Sequence, residues 1–243
     1  MSKTFISSKT RQQIEDFAGR TFMLLWFMLA SGRHLVTIVN HASQRGLTPS
    51  WLLDTTHSFL LLVFSALAVV LTILRQPTRV VAQGLEPRIS AILGSFLILS
   101  LPFLPATEVN VEVKLASVMV TTVGITLSIY CLLWLGRSYS IMATARALVT
   151  GGPYGVVRHP LYASELIAIA GVVLGSISIP AVVLFLITLG FILRRTYNEE
   201  RVLRAAFPEY EEYAQRVPRI IPRIHLFKPG TVTKHPAAFT SRP

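Results

Sequence analysis

Gly151-Gly152-Pro153-Tyr154-Gly155-Val156-Val157-Arg158-His159-Pro160-Leu161-Tyr162 is a polar, ring-rich turn. The chain leaves it into an apolar hairpin and comes out at Arg194-Arg195-Thr196-Tyr197-Asn198-Glu199-Glu200. Charge beside membrane helices is costly, so two charged clusters flanking one hairpin point to a built site rather than a linker. Gly151 and Gly152 permit a sharp turn and close backbone approach to a ligand. Pro153 stiffens the turn, and Pro160 stands where a helix can start. Free N–H groups near Leu161 and Tyr162 would then suit an anion. On the far side, Arg195 and Glu199 are four apart and share a helix face. The hairpin returns the chain to the side it left, so the two clusters converge at one mouth.

Composition sets the surroundings of that mouth. Of 243 residues, 52% are hydrophobic and 14% charged, against about 25% charged in a soluble domain. The mean hydropathy is +0.56. Six apolar segments run roughly over 21–39, 57–74, 89–104, 115–135, 161–179 and 180–193. A crossing needs about 20 residues. The second, fourth and fifth segments fit well, the third is a little short, and the sixth is clearly short. The expected fold is all-α: a multi-pass transmembrane bundle of five to six segments with a cytoplasmic, amphipathic C-terminal helix from Thr196 onward, broken by Pro208. Gly171 and Gly175 form a small-xxx-small pair that allows close helix packing.

Nearly all of the 23 basic residues fall on one side of this path. The positive-inside rule puts that side, with both termini, in the cytoplasm. The 105–114 loop, with Glu108 and Glu112, faces out. Arg33 reads as an arginine snorkelling to the outer interface. No cleavable signal peptide is expected, because the first apolar run begins only near Phe22. Residues 228–243 are rich in Pro and Thr without periodicity and are expected to be disordered.

The lone Cys131 excludes an intrachain disulfide and a cysteine-based metal cluster. His34, His41 and His57 show no metal spacing, so no metal is expected as site or partner. The net charge of +11 suits anionic lipid, and no nucleic-acid motif accompanies it. The partners expected are the bilayer and a lipid or lipidated acceptor.

Gly-Pro-Tyr-x-x-x-Arg-His-Pro-x-Tyr, then Glu-Glu-x-x-Leu after the hairpin, then Phe-x-x-Tyr-x-x-Tyr-x-x-x-Val-Pro-Arg, resembles the isoprenylcysteine carboxyl methyltransferase family. The related phospholipid N-methyltransferases share the general plan. The resemblance covers roughly Leu135 to Pro222. It implies an integral membrane enzyme that uses S-adenosylmethionine, with residues 1–134 as N-terminal transmembrane helices and 135–227 as the methyltransferase core. By position it implies cofactor contacts from Arg146, Ala147, Leu148, Val149, Tyr154, His159, Pro160, Leu161, Tyr162 and Glu199, with Tyr139 in a further cofactor-contact region. It gives Arg195 the methyl acceptor. Ser164 and Pro208 stand where the family often has glycine. Glu165, inside the fifth apolar segment, is a catalytic candidate beside Arg195 because an intramembrane carboxylate is functional by default. It binds an amine or polar head group, or it pairs with Arg158 or Arg195.

A methyltransferase acting on a lipid-linked or hydrophobic acceptor, with a carboxylate as acceptor group, is the reading that follows. Phospholipid N-methylation is an alternative. So is a nicotinamide-dependent sterol-type reductase, since those enzymes have a similar Arg-His-Pro-x-Tyr turn and a comparable Val-Pro-x-x-Ile-Pro ending. The Glu199-Glu200 pair and the shorter helix count favour the methyltransferase. A lipid-binding or transport protein would show a midplane row of polar residues, and only Glu165 and Arg33 are candidates for one.

Overall fold

The computed structural model describes residues 8–43 and 49–222. The tail expected to be disordered, 228–243, lies outside the described residues.

Two long helices, α1 (Ser8–Ser43) and α2 (Pro49–Leu74), form the first hairpin. Three contacts fix it as antiparallel: Arg20 Nη2 donates to Ile73 O at 2.8 Å, Ser31 Oγ donates to Ser65 Oγ at 2.9 Å, and Trp51 Nε1 donates to His41 O at 2.9 Å. Helix α3 (Glu86–Phe96) tightens into a 3-10 stretch over Leu97–Phe103, where Pro102 lacks the N–H that an α-helix would use. Helix α4 (Val111–Leu135) starts at Asn110, whose side chain accepts from Val113 N at 2.9 Å, and stops at Gly136 with φ +52°.

Helices α5 (Pro160–Leu174) and α6 (Ile179–Ala206) are the hairpin after the polar turn, and α7 (Tyr210–Arg216) follows. Their lengths correct the sequence reading in both halves of the hairpin. The fifth segment fitted a full crossing, but α5 has 15 residues and spans about 22 Å at the usual rise. Gly175-Ser176-Ile177-Ser178 ends it early. The sixth segment was the short one, but α6 has 28 residues and spans about 42 Å. The apolar run stops at Leu193, yet nothing after it breaks the backbone ladder until Phe207-Pro208. The helix expected from Thr196 is therefore the end of α6, and only α7 is separate.

Among the described residues, five spans are long and apolar enough to cross a membrane: Gly19–Ser43, Asp54–Leu74, Glu86–Phe103, Val111–Ser138 and Ile179–Ala206. Leu25, Leu29, Val36, Leu133 and Leu186 all face outward, which suits lipid and not water. Hydroxyls inside the helices are satisfied locally, as when Thr121 donates to Ser117 O at 2.8 Å and Thr188 to Leu184 O at 2.8 Å. The protein is a multi-pass, mostly helical membrane bundle.

Small residues let α5 lie against α4. A Cβ on Gly124 would come within 2.4 Å of Ala168 N, and one on Gly171 within 2.4 Å of Thr121 Oγ1. Ser117 Oγ donates across the gap to Gly171 O at 2.7 Å. The all-α expectation missed one element. Strands β1 (Val80–Val81) and β2 (Thr144–Ala145) form an antiparallel ribbon. It is extended by Arg79 N donating to Ala145 O at 2.8 Å and Ala82 N donating to Ala143 O at 3.0 Å. The ribbon ties the α2–α3 link to the stretch that leads into residues 146–149.

Candidate active site

The polar turn is shaped by packing before chemistry. Gly152 has φ +57°, and a Cβ there would sit 2.4 Å from the Trp134 ring. The glycines were expected to let backbone approach a ligand. In the fold, they make room for Trp134 at the end of α4. Pro160 then opens α5, with His159 at the cap position.

His159 does not cap through its side chain. Its ring lies parallel to that of Tyr162, centroids 5.6 Å apart, between two carboxylates of α6. Nδ1 is 3.6 Å from Glu199 Oε2, and Nε2 is 3.2 Å from Glu200 Oε1. Tyr162 Oη donates to Glu199 Oε1 at 2.7 Å. The two sequence clusters therefore meet, and Tyr162 and Glu199 touch directly.

Glu200 could be read in sequence as a solvated helix residue. It is instead fully buried and is the electrostatic hub of the site. Arg219 grips it with both prongs, Nε to Oε1 at 2.9 Å and Nη2 to Oε2 at 2.7 Å. Arg158 Nη2 stands 3.3 Å from Oε1, and Arg204 Nη2 stands 3.5 Å from Oε2. Burying this carboxylate is tolerable only because so many donors surround it. The strap after α7 completes the arrangement. Arg158 N donates to Pro218 O at 2.8 Å, and His159 N donates to Arg219 O at 2.9 Å. Val217-Pro218-Arg219 looked in sequence like a helix stop. It also closes back over the turn.

A cavity of about 80 Å³ opens beside this cluster. Arg146, Ala147, Leu148, Val149, Tyr154, His159, Leu161, Tyr162 and Glu199 all line it. Two expected cofactor residues do not. Pro160 is buried at the start of α5, and Tyr139 lies in the core against Phe27. Ser138, Ser140, Thr144, Leu203, Tyr210 and Tyr213 line the cavity as well and were not assigned to the site. The three-residue spacing of Tyr210 and Tyr213 was a usable signal, since it puts both rings on one helix face.

Thr144 Oγ1, Tyr154 Oη and Tyr210 Oη are buried without a hydrogen-bond partner, and all three residues line this cavity. Burial raises both phenols well above their ordinary range, so they remain donors. Tyr213, pushed up to about 12 by burial, spends its hydroxyl on Tyr154 O at 2.6 Å. Orphaned buried donors signal a polar ligand. Hydroxyl donors, the Glu199 carboxylate and apolar walls suit the ribose, ammonium and adenine of a nucleoside such as S-adenosylmethionine. The volume falls short of the roughly 300 Å³ at which ligand pockets begin.

Arg195 faces the other way. It is buried, with 3% of its surface exposed. Nη1 donates to Ser95 Oγ at 2.9 Å, Nη2 reaches Ser140 O at 3.4 Å, and Cζ lies 4.6 Å from the Tyr162 ring centre. With Glu165, Tyr139, Trp26, Phe27 and Phe64 it lines a second, mostly apolar cavity of about 260 Å³. Glu165 does not pair with either expected arginine: Arg158 goes to Glu200, and Arg195 to Ser95. Tyr162 lines the first cavity, with Glu199 on its hydroxyl, and Arg195, which lines the second, lies over its ring.

Residues 113–210 match the family model of phospholipid methyltransferases. Two curated proteins are similar over part of their length. The cobalt-zinc-cadmium resistance protein CzcN of Cupriavidus metallidurans is 41% identical over 96 residues, covering 38% of this chain and 44% of that protein. The nickel-cobalt-cadmium resistance protein NccN of Alcaligenes xylosoxydans xylosoxydans is 32% identical over 119 residues, covering 48% of this chain and 54% of that protein. The chain spans about half the length of the curated relatives it matches. Both are named for metal resistance, which overturns the expectation that excluded metal from the partners. Among the described residues, no group of three or more His, Cys, Asp or Glu could hold a metal ion. The family match supports S-adenosylmethionine-dependent methyltransferase activity at the level of the family. The segment from α4 to the start of α7, which carries the turn and both carboxylates, is similar to that of the phospholipid methyltransferases.

Proposed function

We propose that this protein transfers a methyl group from S-adenosylmethionine to a lipid-linked or hydrophobic acceptor whose reacting group is a carboxylate. The observation that carries the reading is the contact of Tyr162 with both Glu199 and Arg195. Glu199 and the orphaned hydroxyls line one cavity, and Arg195 lines a second, mostly apolar one. S-adenosylmethionine supplies an electrophilic methyl on a sulfonium. Arg146, Ala147, Leu148, Val149, Tyr154, His159, Leu161, Tyr162 and Glu199 hold it, with Pro160 setting the start of α5. Arg195, fixed by Ser95 and Ser140, orients the acceptor carboxylate through its guanidinium fork. Such an acceptor is already ionised and needs no general base, so catalysis rests on alignment and exclusion of water. Apolar side chains of α1, α2 and α4 receive the tail. The core of this activity is 135–227, and the mouth opens to the cytoplasm.

A second reading has its own support. The matching family model is that of phospholipid methyltransferases, and Glu165 lines the acceptor cavity beside Arg195. A phospholipid amine would give its proton to Glu165 and its phosphate to Arg195. Either product bears on the relatives' metal-resistance names. Esterifying a carboxylate removes an oxygen ligand for divalent cations, and methylating an amine fixes a positive charge that repels them.

The deciding experiment incubates purified protein with methyl-labelled cofactor and fractionated membrane lipids. A labelled product that releases methanol in alkali is an ester, and one stable to alkali is an N-methyl lipid. Saturable S-adenosylhomocysteine binding is expected. NADPH binding in its place would transfer the site to a reductase.

A further inference from the structure

The charged residues that line the second cavity are one of each sign, Glu165 and Arg195. Arg195 is the cation whose charge reaches Glu165, yet the two do not pair. No hydrogen bond or ion pair joins Glu165 to any group among the described residues. Arg195 still has donors to give: Nη1 and Nη2 reach Ser95 Oγ and Ser140 O, while Nε has no partner. Ser95 and Ser128, hydroxyls of the same lining, are already engaged. Ser95 accepts from Arg195, and Ser128 donates to Gly124 O at 2.9 Å. Ala168 and Ile169 follow Glu165 by three and four residues and line the cavity with it, so one face of α5 sets the carboxylate beside apolar side chains. Trp26, Phe64, Phe96 and Leu99 extend the apolar lining. A carboxylate inside a bundle is costly unless something pairs with it. A ligand that brings only a carboxylate satisfies Arg195 and leaves Glu165 beside a second negative charge. A ligand that brings only an amine satisfies Glu165 and leaves Arg195 without an anion. One head group with both charges satisfies the two together.

We infer that the acceptor is a lipophilic amino acid with a free amine, bound as its zwitterion. Its carboxylate lies at Arg195, its ammonium at Glu165, and its tail along Ala168, Ile169 and the aromatic lining. This rests on the methyl-transfer reading and adds the head group to it. Glu165 then has a chemical task. By accepting hydrogen bonds from the ammonium it keeps the amine protonated, and a protonated nitrogen has no lone pair with which to attack the methyl group. The carboxylate oxygen is the nucleophile that remains. Its electron pair forms the O–CH₃ bond, the S–CH₃ bond breaks, and the sulfonium becomes a neutral thioether. No proton moves. The acceptor goes from zero net charge to +1, so the ester keeps its ammonium at Glu165 and loses its attraction to Arg195. Acylating the nitrogen removes the charge that Glu165 needs, so N-acylated amino acids are poor acceptors.

The test measures binding of three probes to the purified full chain in nanodiscs, by calorimetry against empty nanodiscs and without cofactor. The probes are 2-aminododecanoic acid, its N-acetyl derivative and dodecylamine. Wild type is expected to bind the amino acid about tenfold more tightly than either of the others, the low end for a hydrogen bond to a charged group. Glu165→Gln is expected to bring the amino acid down to the level of its N-acetyl form, while S-adenosylhomocysteine binds as in wild type. Glu165→Asp keeps the charge and is expected to retain part of the preference. The wild-type comparison needs no variant, so it decides the head group even if both substitutions unfold the chain. Equal binding of the amino acid and its N-acetyl form overturns the inference, as does a preference that survives Glu165→Gln. Dodecylamine bound as tightly as the amino acid overturns it in favour of an amine head alone. Methyl-labelled cofactor then separates this inference from the reading beneath it. Selective binding of the amino acid with no alkali-labile methyl product overturns the carboxylate reaction and leaves the head-group site standing. Equal esterification of the amino acid and its N-acetyl form keeps the reaction and overturns the head group.

Discussion

Replacing Glu200 with glutamine tests whether the buried carboxylate holds the C-terminal strap over the turn. The side chain is fully buried and receives Arg219, Arg158, Arg204 and His159. The amide keeps the shape and loses the charge, and its NH₂ then faces guanidinium donors. Breaking a buried pair costs about 3–5 kcal/mol. Arg204 and Arg219 are 39% and 44% exposed, so water recovers much of their share. Arg158, at 11% exposure, and His159 keep the larger part. The net is about 2–3 kcal/mol, or roughly 30- to 150-fold in the local opening equilibrium. The reporters are the amides of Arg158 and His159, which donate to Pro218 O and Arg219 O. Hydrogen exchange followed by mass spectrometry of the 154–162 peptide reads their opening directly. Glu212→Gln is the control, because its partner Arg216 and Glu212 itself are both largely exposed. If exchange in the Glu200 variant stays within about threefold of wild type, the hub does not hold the strap and the electrostatic account is wrong.

Three further outcomes are expected. Tyr162→Phe removes the 2.7 Å bond to Glu199 and weakens S-adenosylhomocysteine binding by roughly tenfold, the low end for a hydrogen bond to a charged group; calorimetry that shows an unchanged affinity sinks that role. Arg195→Lys cannot reproduce the fork between Ser95 Oγ and Ser140 O and lowers kcat/KM by about two orders of magnitude with cofactor affinity preserved; a parallel fall in cofactor affinity would place Arg195 at the cofactor instead of the acceptor. Gly171→Ala forces a methyl to within 2.4 Å of Thr121 Oγ1 and costs about 1–3 kcal/mol of stability; thermal denaturation in detergent measures it, and a variant as stable as wild type would show that α4 and α5 are not tightly apposed.

Much of the site was legible because its residues come in two short runs with fixed spacing. Tyr162 follows Pro160 by two, and Glu199 follows Arg195 by four, so each run has one face whatever surrounds it. Glu200 was illegible for the same reason. Two adjacent glutamates on a helix point about a quarter turn apart, and sequence cannot say which of the two directions is buried. The glycines of the turn were assigned to a ligand, but their neighbour is Trp134, from the end of a helix sixteen or more positions earlier. The lengths of α5 and α6 were misjudged because hydropathy reports where lipid contact stops, whereas a helix stops where its hydrogen-bond ladder is broken. The relatives' metal-resistance names have no counterpart among the described residues, where no group of metal ligands stands together.

Local rules determined the membrane setting, the helix start at Pro160, and the meeting of the two clusters at one end of the hairpin. Those follow from hydropathy, backbone stereochemistry and the return of a hairpin, which need no knowledge of distant contacts. Tertiary structure decided which carboxylate is the hub, that residues 217–219 close over the turn, that a ribbon joins residues 80–81 to 144–145, and that Glu199 meets the hydroxyl of Tyr162 while Arg195 lies over its ring. Each of those depends on which side chains meet across more than thirty residues of chain, a property of packing that no local pattern encodes.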